Sequence, residues 1–168
     1  MKKNVEIIGA NTLIDVLNYE NVPAKIDTGA DSSAIWASNI SMSKDGVLKF
    51  KLFNKKSPLF KDEFIQTTNY SVSKIRSSNG AEEIRYRVPL LTRIGSKKVR
   101  VRFTLASREV QKFPVLIGRR TLRNKFIVDV SKHAIEPKKA EKTSILNREL
   151  KPDPYAFHQK YINIKLKD

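Results

Sequence analysis

A chain of 168 residues with 40% hydrophobic side chains is long enough for one core, so we expect one domain over residues 1–135 and a basic extension over residues 136–168. The chain has no cysteine, which excludes disulfides, thiolate metal sites and a cysteine nucleophile. It has neither a run of about eighteen apolar residues nor an apolar secretory signal at its start. These features predict a soluble, cytoplasmic protein without a membrane partner.

The charge is strongly positive, because 33 Lys and Arg residues outnumber 17 Asp and Glu residues and leave a formal net charge of +16. Such a field favours association with acidic partners such as nucleic acid, the ribosome or an acidic peptide. Lys, Asn and Ile are all abundant, which a codon bias would also produce. The charge therefore indicates a class of partner and no reaction.

Alternating apolar and polar residues, the pattern of half-buried strands, recur along the chain and predict an all-β protein with little helix. A first strand begins near Val5 to Ile8, and the apolar run Val22 to Ile26 ends abruptly at Asp27. Residues 31–37 suggest a short helical turn. Residues 41–69, rich in Lys, Ser and Asn, predict an irregular insertion that contains one strand near residues 48–53.

Two hairpins are predicted in the middle of the chain. Residues 71–76 and 83–88 alternate on either side of Ser77-Ser78-Asn79-Gly80, and Asn-Gly between two alternating runs is a strong hairpin signal. A second hairpin turns at Gly95-Ser96. The outward positions of both hairpins predict a basic stripe that contains Arg85, Arg87, Arg100 and Arg102.

The last part of the predicted domain contains an apolar strand over residues 113–118, the start of a helix over residues 119–123 and a strand over residues 126–130. The chain then becomes rich in lysine, as surface extensions are. Its final residues alternate again around Ile162 and Ile164. They predict a strand that pairs within the chain or with a second subunit.

The segment with the clearest chemical meaning is Asp27-Thr28-Gly29, because a carboxylate that ends an apolar strand is costly unless it has a role. By itself this tripeptide also fits a turn that closes a strand. A second motif stands downstream, where two apolar residues precede Gly118-Arg119. The hairpin tip at Ser78, Asn79 and Gly80 lies between the two motifs, and the three elements together are fairly specific.

This arrangement resembles the retropepsin-like aspartic proteases, and in particular a bacterial and archaeal branch often labelled ATP-dependent zinc proteases and associated with ribosomal-protein-modifying glutamate ligases. The likeness runs in blocks from about residue 5 to about residue 131, carried by residues 24–34, 76–80 and 113–129. Residues 11–22 depart from the more aromatic pattern of that branch.

The resemblance implies a closed acid-protease β barrel with a flap hairpin and a short helix after Gly118-Arg119. It implies a homodimer in which Asp27 faces Asp27 of a second subunit, and the two carboxylates share one proton and activate a water. Thr28 would hydrogen-bond across the dimer to brace the paired loops, Ala30 would support the same loop, and Gly29 would permit a close backbone approach. Asp31 would form a bidentate ion pair with Arg119. Substrate-binding flap residues would be Ser78, Asn79 and Gly80.

The substrate suggested by the charge together with the family association is an acidic peptide, such as a glutamate-rich tail on a translation protein. A zinc peptidase is disfavoured, because the chain has no His-Glu-x-x-His motif and its only histidines are His133 and His158. It also has no phosphate-binding loop for ATP. We therefore predict no metal and no cofactor.

The alternative from another class is a ribosome-, nucleic-acid- or peptide-binding module without catalysis. Tyr86 between Arg85 and Arg87 would supply a stacking surface beside phosphate contacts. An aromatic residue within a strand is more often part of a core, which speaks against stacking on Tyr86. The sequence does not decide between the two, so this alternative stays open.

Overall fold

The computed structural model describes residues 4–76, 82–109 and 111–135, without the side chains of residues 74–76 and 82. It contains ten strands and one helical turn, named here in chain order: β1 (Glu6–Val16), β2 (Tyr19–Asp27), β3 (Ser33–Met42), β4 (Leu48–Leu52), β5 (Ile65–Thr67), β6 (Ser71–Arg76), β7 (Glu82–Ile94), β8 (Lys97–Ala106), β9 (Val115–Gly118), α1 (Arg119–Leu122) and β10 (Phe126–His133). The predicted all-β class with a minor helix is confirmed.

Six strands close into a barrel in the order β1, β2, β9, β3, β8 and β7, and β7 pairs back onto β1. β10 extends the sheet beside β1 and β6 extends it beside β7. The sheet is mixed, since β2 and β9 run parallel while β1 and β2 run antiparallel. The predicted closed acid-protease barrel is therefore present.

The core consists of the side chains that point into the barrel, at every second position along the strands. Ile14, Val22, Ile35, Phe103 and Ile117 are fully or almost fully buried, and each lies on a different barrel strand. Burial of a side chain of this kind stabilises the fold by about 1.5–3 kcal/mol. The alternation in the sequence therefore fixes which face of each strand points inward.

Two parts of the chain differ from the sequence prediction. Residues 31–37 do not form a helical turn, because they bend once and enter β3, which pairs with β8 on one side and β9 on the other. Residues 41–69 are more regular than expected. β4 lies where it was predicted, but it pairs with both β3 and β5 and buries Phe50 completely.

Both predicted hairpins are present as paired strands. β6 pairs with β7 from Ser71↔Arg87 to Arg76↔Glu82, and β7 pairs with β8 from Arg87↔Thr104 to Ile94↔Lys97. Ser78, Asn79 and Gly80 lie outside the described residues, as do residues 136–168. The flap tip, the basic extension and the division of the chain at residue 135 thus stay predictions.

Within the described residues, no helix has the length and apolar character needed to cross a bilayer.

Candidate active site

Asp27 is the last residue of β2 and lies beside Gly118, its register partner on the parallel strand β9. Its side chain is half-buried, and Oδ1 accepts hydrogen bonds from the backbone N–H groups of Gly29 and Ala30, both at 3.1 Å. Within the described residues, Oδ2 accepts no hydrogen bond. One carboxylate oxygen is thus held by the loop and the other is available to a ligand.

Gly118 brings β9 against the loop that follows Asp27. A Cβ atom at this position would lie 2.6 Å from the carbonyl carbon and oxygen of Ser32 and 2.9 Å from the carbonyl oxygen of Ala30. Real side chains do not occupy such space, so only glycine permits this approach. By contrast, a Cβ at Gly29 would meet only Asp27 Oδ1, at 3.5 Å. Within the described protomer the close approach lies at Gly118, and the predicted close approach at Gly29 stays a prediction.

Further hydrogen bonds join the loop to β9 and α1. The N–H of Arg119 donates to the carbonyl of Ala30 at 2.8 Å, and the N–H of Gly118 donates to Ser33 Oγ at 3.1 Å. Ser33 Oγ also lies 2.8 Å from Thr121 Oγ1. Ser33 is buried, so these contacts satisfy a polar group that would otherwise be costly.

Asp31 is held by two arginines. Arg119 Nε donates to Oδ1 and Arg120 Nη2 to Oδ2, each at 2.7 Å. The hydrogen bond from Arg119, followed by the charges of Arg120 and Arg119, lowers the pKa of Asp31. The predicted partnership of Asp31 and Arg119 is present, but the bidentate geometry is wrong, since each arginine takes one oxygen. Arg120 had no role predicted from the sequence, although it stands within the matched motif.

Thr28 is exposed and lines a cavity of about 760 Å³ with Leu122, Phe126 and Val128 on its apolar side. The cavity lies next to the Asp31 ion pairs, because Arg119 and Arg120 also line it. Among the described residues of the protomer, the Thr28 hydroxyl makes no hydrogen bond. Its predicted partner, a second subunit, remains a prediction.

Arg108 is a site residue that the sequence did not indicate. With Asp27, Lys25 and Leu116 it lines a second cavity, of about 540 Å³, and its Nε donates to the carbonyl of Phe113 at 3.1 Å. Burial lowers the pKa of Arg108, while the negative charge of Asp27 acts in the opposite direction. No motif surrounds Arg108, and only the folded loop brings it to Asp27.

The flap strand β7 contributes two more arginines to this side of the molecule. Arg85 and Arg87 line a cavity of about 460 Å³ that also contains Arg108 and Leu116. The Nε atoms of Arg85 and Arg87 are buried and have no hydrogen-bond partner among the described residues. An unsatisfied buried donor costs about 1–3 kcal/mol, and Glu83, which lines the same cavity, pairs with Arg85 Nη2 at 2.9 Å.

The described residues contain no group of three or more His, Asp or Glu side chains that would hold a metal ion. His133 ends β10, and its Nδ1 lies 3.2 Å from Asn11 Nδ2. His158 lies outside the described residues.

Two features place this six-stranded barrel in the class of retropepsin-like proteins. Asp-Thr-Gly stands at the end of one strand, and a glycine of the neighbouring parallel strand packs against the loop. Comparison with protein families agrees. The model of the RimB-like family, described as retropepsin-like aspartic endopeptidase RimB, matches residues 8–139. The chain therefore belongs to the RimB-like family.

Two relatives and one solved structure are also similar to this chain. The chain is 30% identical over 139 residues to a probable alpha-L-glutamate ligase of Shewanella pealeana, and 30% identical over 141 residues to a protein of the same name in Shewanella halifaxensis. Each match covers 78% of this chain and only 30% of the relative. A crystal structure of Lpg0085, a Legionella pneumophila protein of unknown function, is similar with a TM-score of 0.60 and 25% identity, over 76% of this chain and 95% of that one.

Proposed function

We propose that this protein is an aspartic endopeptidase whose active site forms between Asp27 residues of two subunits. The observation that carries the proposal is the Asp27 carboxylate, fixed on one oxygen by two backbone N–H groups and unbonded on the other among the described residues. Membership of an aspartic endopeptidase family supports the same reaction. The given sequence contains one Asp-Thr-Gly motif, so a homodimer would complete the pair.

The proposed chemistry needs two carboxylates and one proton. Two carboxylates in contact cannot both ionise cheaply, so one keeps its proton while the other takes a proton from a bound water. The water oxygen attacks the scissile carbonyl carbon, and the protonated carboxyl keeps its proton while it donates a hydrogen bond to the carbonyl oxygen. The C–N bond then breaks as the leaving nitrogen takes a proton from the pair. The pair titrates as a unit, so no single pKa belongs to either Asp27.

The cavities beside Asp27 favour an acidic peptide as substrate. Lys25, Arg108 and Lys112 line the cavity that contains Asp27. Arg85 and Arg87 line the one next to it, where Glu83 pairs with Arg85 and Arg87 is in no described ion pair. Such a cluster attracts carboxylates and disfavours basic peptides. A glutamate-rich tail of a cytoplasmic translation protein would fit this requirement. The glutamate ligase names of the relatives describe much longer proteins, and we propose no ligase activity here.

The second candidate is a binding module for a polyanion that does not cleave it. The arginines with unpartnered buried Nε atoms favour it, because they would bind an anion with or without catalysis. Stacking of nucleic-acid bases on Tyr86 is less favoured. This ring is half-buried and packs edge-on against Tyr70, with centroids 6.0 Å apart.

The test incubates the full-length protein and an Asp27→Asn variant with acidic, neutral and basic peptide libraries from acid to neutral pH, with and without a chelator. Sedimentation counts the subunits in the same samples. We expect cleavage by a dimer that survives chelation, is lost in Asp27→Asn and is fastest on acidic peptides. Chelator-sensitive cleavage that persists in the variant would refute the aspartic mechanism, and binding of acidic peptides without cleavage would favour the second candidate.

A further inference from the structure

A basic groove lies on the outer face of β7 and β8, beyond the cavities next to Asp27. It has a volume of about 450 Å³ and contains hydroxyls of Ser32, Ser33 and Thr121 but no carboxylate among its lining residues. Its cationic lining residues are Arg87, Lys98, Arg100, Arg102, Arg120 and Lys125. We call these six residues and the space between them the remote groove.

The strand register joins the remote groove to Asp27. One row of paired residues crosses five strands, from Lys25 on β2 through Leu116, Ala34 and Thr104 to Arg87 on β7. The same residues line the two intervening cavities, and Arg87 belongs to both the second cavity and the remote groove. One continuous surface therefore leads from the candidate catalytic loop to Arg100 and Arg102.

The length of this surface sets the size of the ligand. Four steps between adjacent strands, each about 4.8 Å, give roughly 19 Å from Lys25 to Arg87. An extended peptide covers about 3.3 Å per residue, so about six residues reach from the neighbourhood of Asp27 to Arg87. Arg102 and Arg100 follow at successive outward positions of β8, about 6.6 Å apart.

The charges in the remote groove have little internal compensation. Among the described ion pairs, Arg120 bonds Asp31, while Arg87, Lys98, Arg100, Arg102 and Lys125 are in none. The guanidinium group presents a planar fork that matches a carboxylate. A run of acidic side chains along an extended substrate would meet arginine on both strands.

We propose that the remote groove is a second binding site for the acidic peptide substrate, which holds carboxylates about six or more residues from the bond to be cleaved. The site makes affinity depend on the length of the acidic tract. This inference rests on the proposed acidic substrate. The occupant is a peptide rather than RNA because the groove is continuous with the Asp27 cavity through shared lining residues.

The test measures binding without cleavage, using the full-length Asp27→Asn protein and fluorescence anisotropy with labelled tetraglutamate and dodecaglutamate. Arg100→Ala/Arg102→Ala removes two exposed guanidinium groups of the groove. Lys44→Ala/Lys55→Ala removes two exposed charges that line neither this groove nor the Asp27 cavity. We expect the arginine variant to lose roughly tenfold in affinity for dodecaglutamate, with tetraglutamate unchanged. The lysine variant should match the parent.

Three results would overturn the inference. Dodecaglutamate binding that is indifferent to Arg100 and Arg102 would exclude the groove as a peptide site. Equal losses for both peptides would indicate a general charge effect. If the arginine variant lost affinity only for a single-stranded oligouridylate competitor and kept its affinity for dodecaglutamate, the groove would be assigned to RNA. Failure of the proposed function would look different, because the unmodified chain would then cleave no peptide in an Asp27-dependent way whatever the anisotropy shows.

Discussion

Asp27 and Gly118 are direct neighbours on two parallel strands, and the lack of a side chain at Gly118 lets the backbone of Ser32 lie against β9. The loop that holds the Asp27 carboxylate is therefore supported from the side of β9.

Replacement of Gly118 by alanine should destabilise the protein by about 1–3 kcal/mol, because the added methyl group overpacks backbone atoms that cannot rotate away. The Asp27 loop should move as well, with loss of peptide cleavage. Urea denaturation measures the first effect. Gly29→Ala is the matched control, since its Cβ has ordinary contacts, and its free energy of unfolding should change little. Equal stability of Gly118→Ala and the parent would contradict the packing argument.

The Asp31 ion pairs should be lost on strong acidification. The pKa of Asp31 is lowered by Arg119 and Arg120, so the folded state binds the proton less tightly than the unfolded state. The resulting stabilisation is present above the ordinary aspartate pKa and disappears as the pH falls through the lowered value. The free energy of unfolding of Asp31→Asn should therefore be lower than that of the parent at neutral pH, and the two values should converge in acid. A stability difference that stays constant across this range would speak against the pairs.

Arg108→Ala should lower kcat/KM for an acidic peptide by roughly tenfold, mainly through KM, because it removes a half-buried cation that lines the Asp27 cavity. A neutral peptide of the same length should be much less affected. Steady-state kinetics on the two peptides separate this role from a structural one. If Arg108 matters only by holding the carbonyl of Phe113, both peptides should lose activity equally.

Asn11→Ala should cost about 2–3 kcal/mol of stability, at about 1 kcal/mol for each lost hydrogen bond. The buried Asn11 side chain accepts from the N–H of Ile135 at 2.7 Å, donates to the carbonyl of Ile135 at 3.1 Å and contacts His133 Nδ1. Hydrogen exchange should show the end of β10 opening first. Thr12→Ala, which removes only a long hydroxyl contact, serves as the control. Similar unfolding free energies for the two variants would refute this role for Asn11.

The sequence by itself determined most of the strands, both hairpins and the motif residues of the loop. These follow from local rules: alternation marks which residues are buried, and Asp27 and Gly118 each end an apolar run. Local rules failed at residues 31–37, where pairing of β3 with two neighbours overrode the apparent helical turn.

Only the tertiary structure decided which residues meet across the loop. The contacts of Gly118 with Ser32 and of Arg120 with Asp31 join segments that are more than eighty residues apart in the chain. The position of Arg108 beside Asp27 depends on a loop with no motif of its own. A linear pattern contains the periodicity of single strands, whereas parallel pairing, barrel closure and loop packing bring distant residues together, and these set the shape and charge of the site.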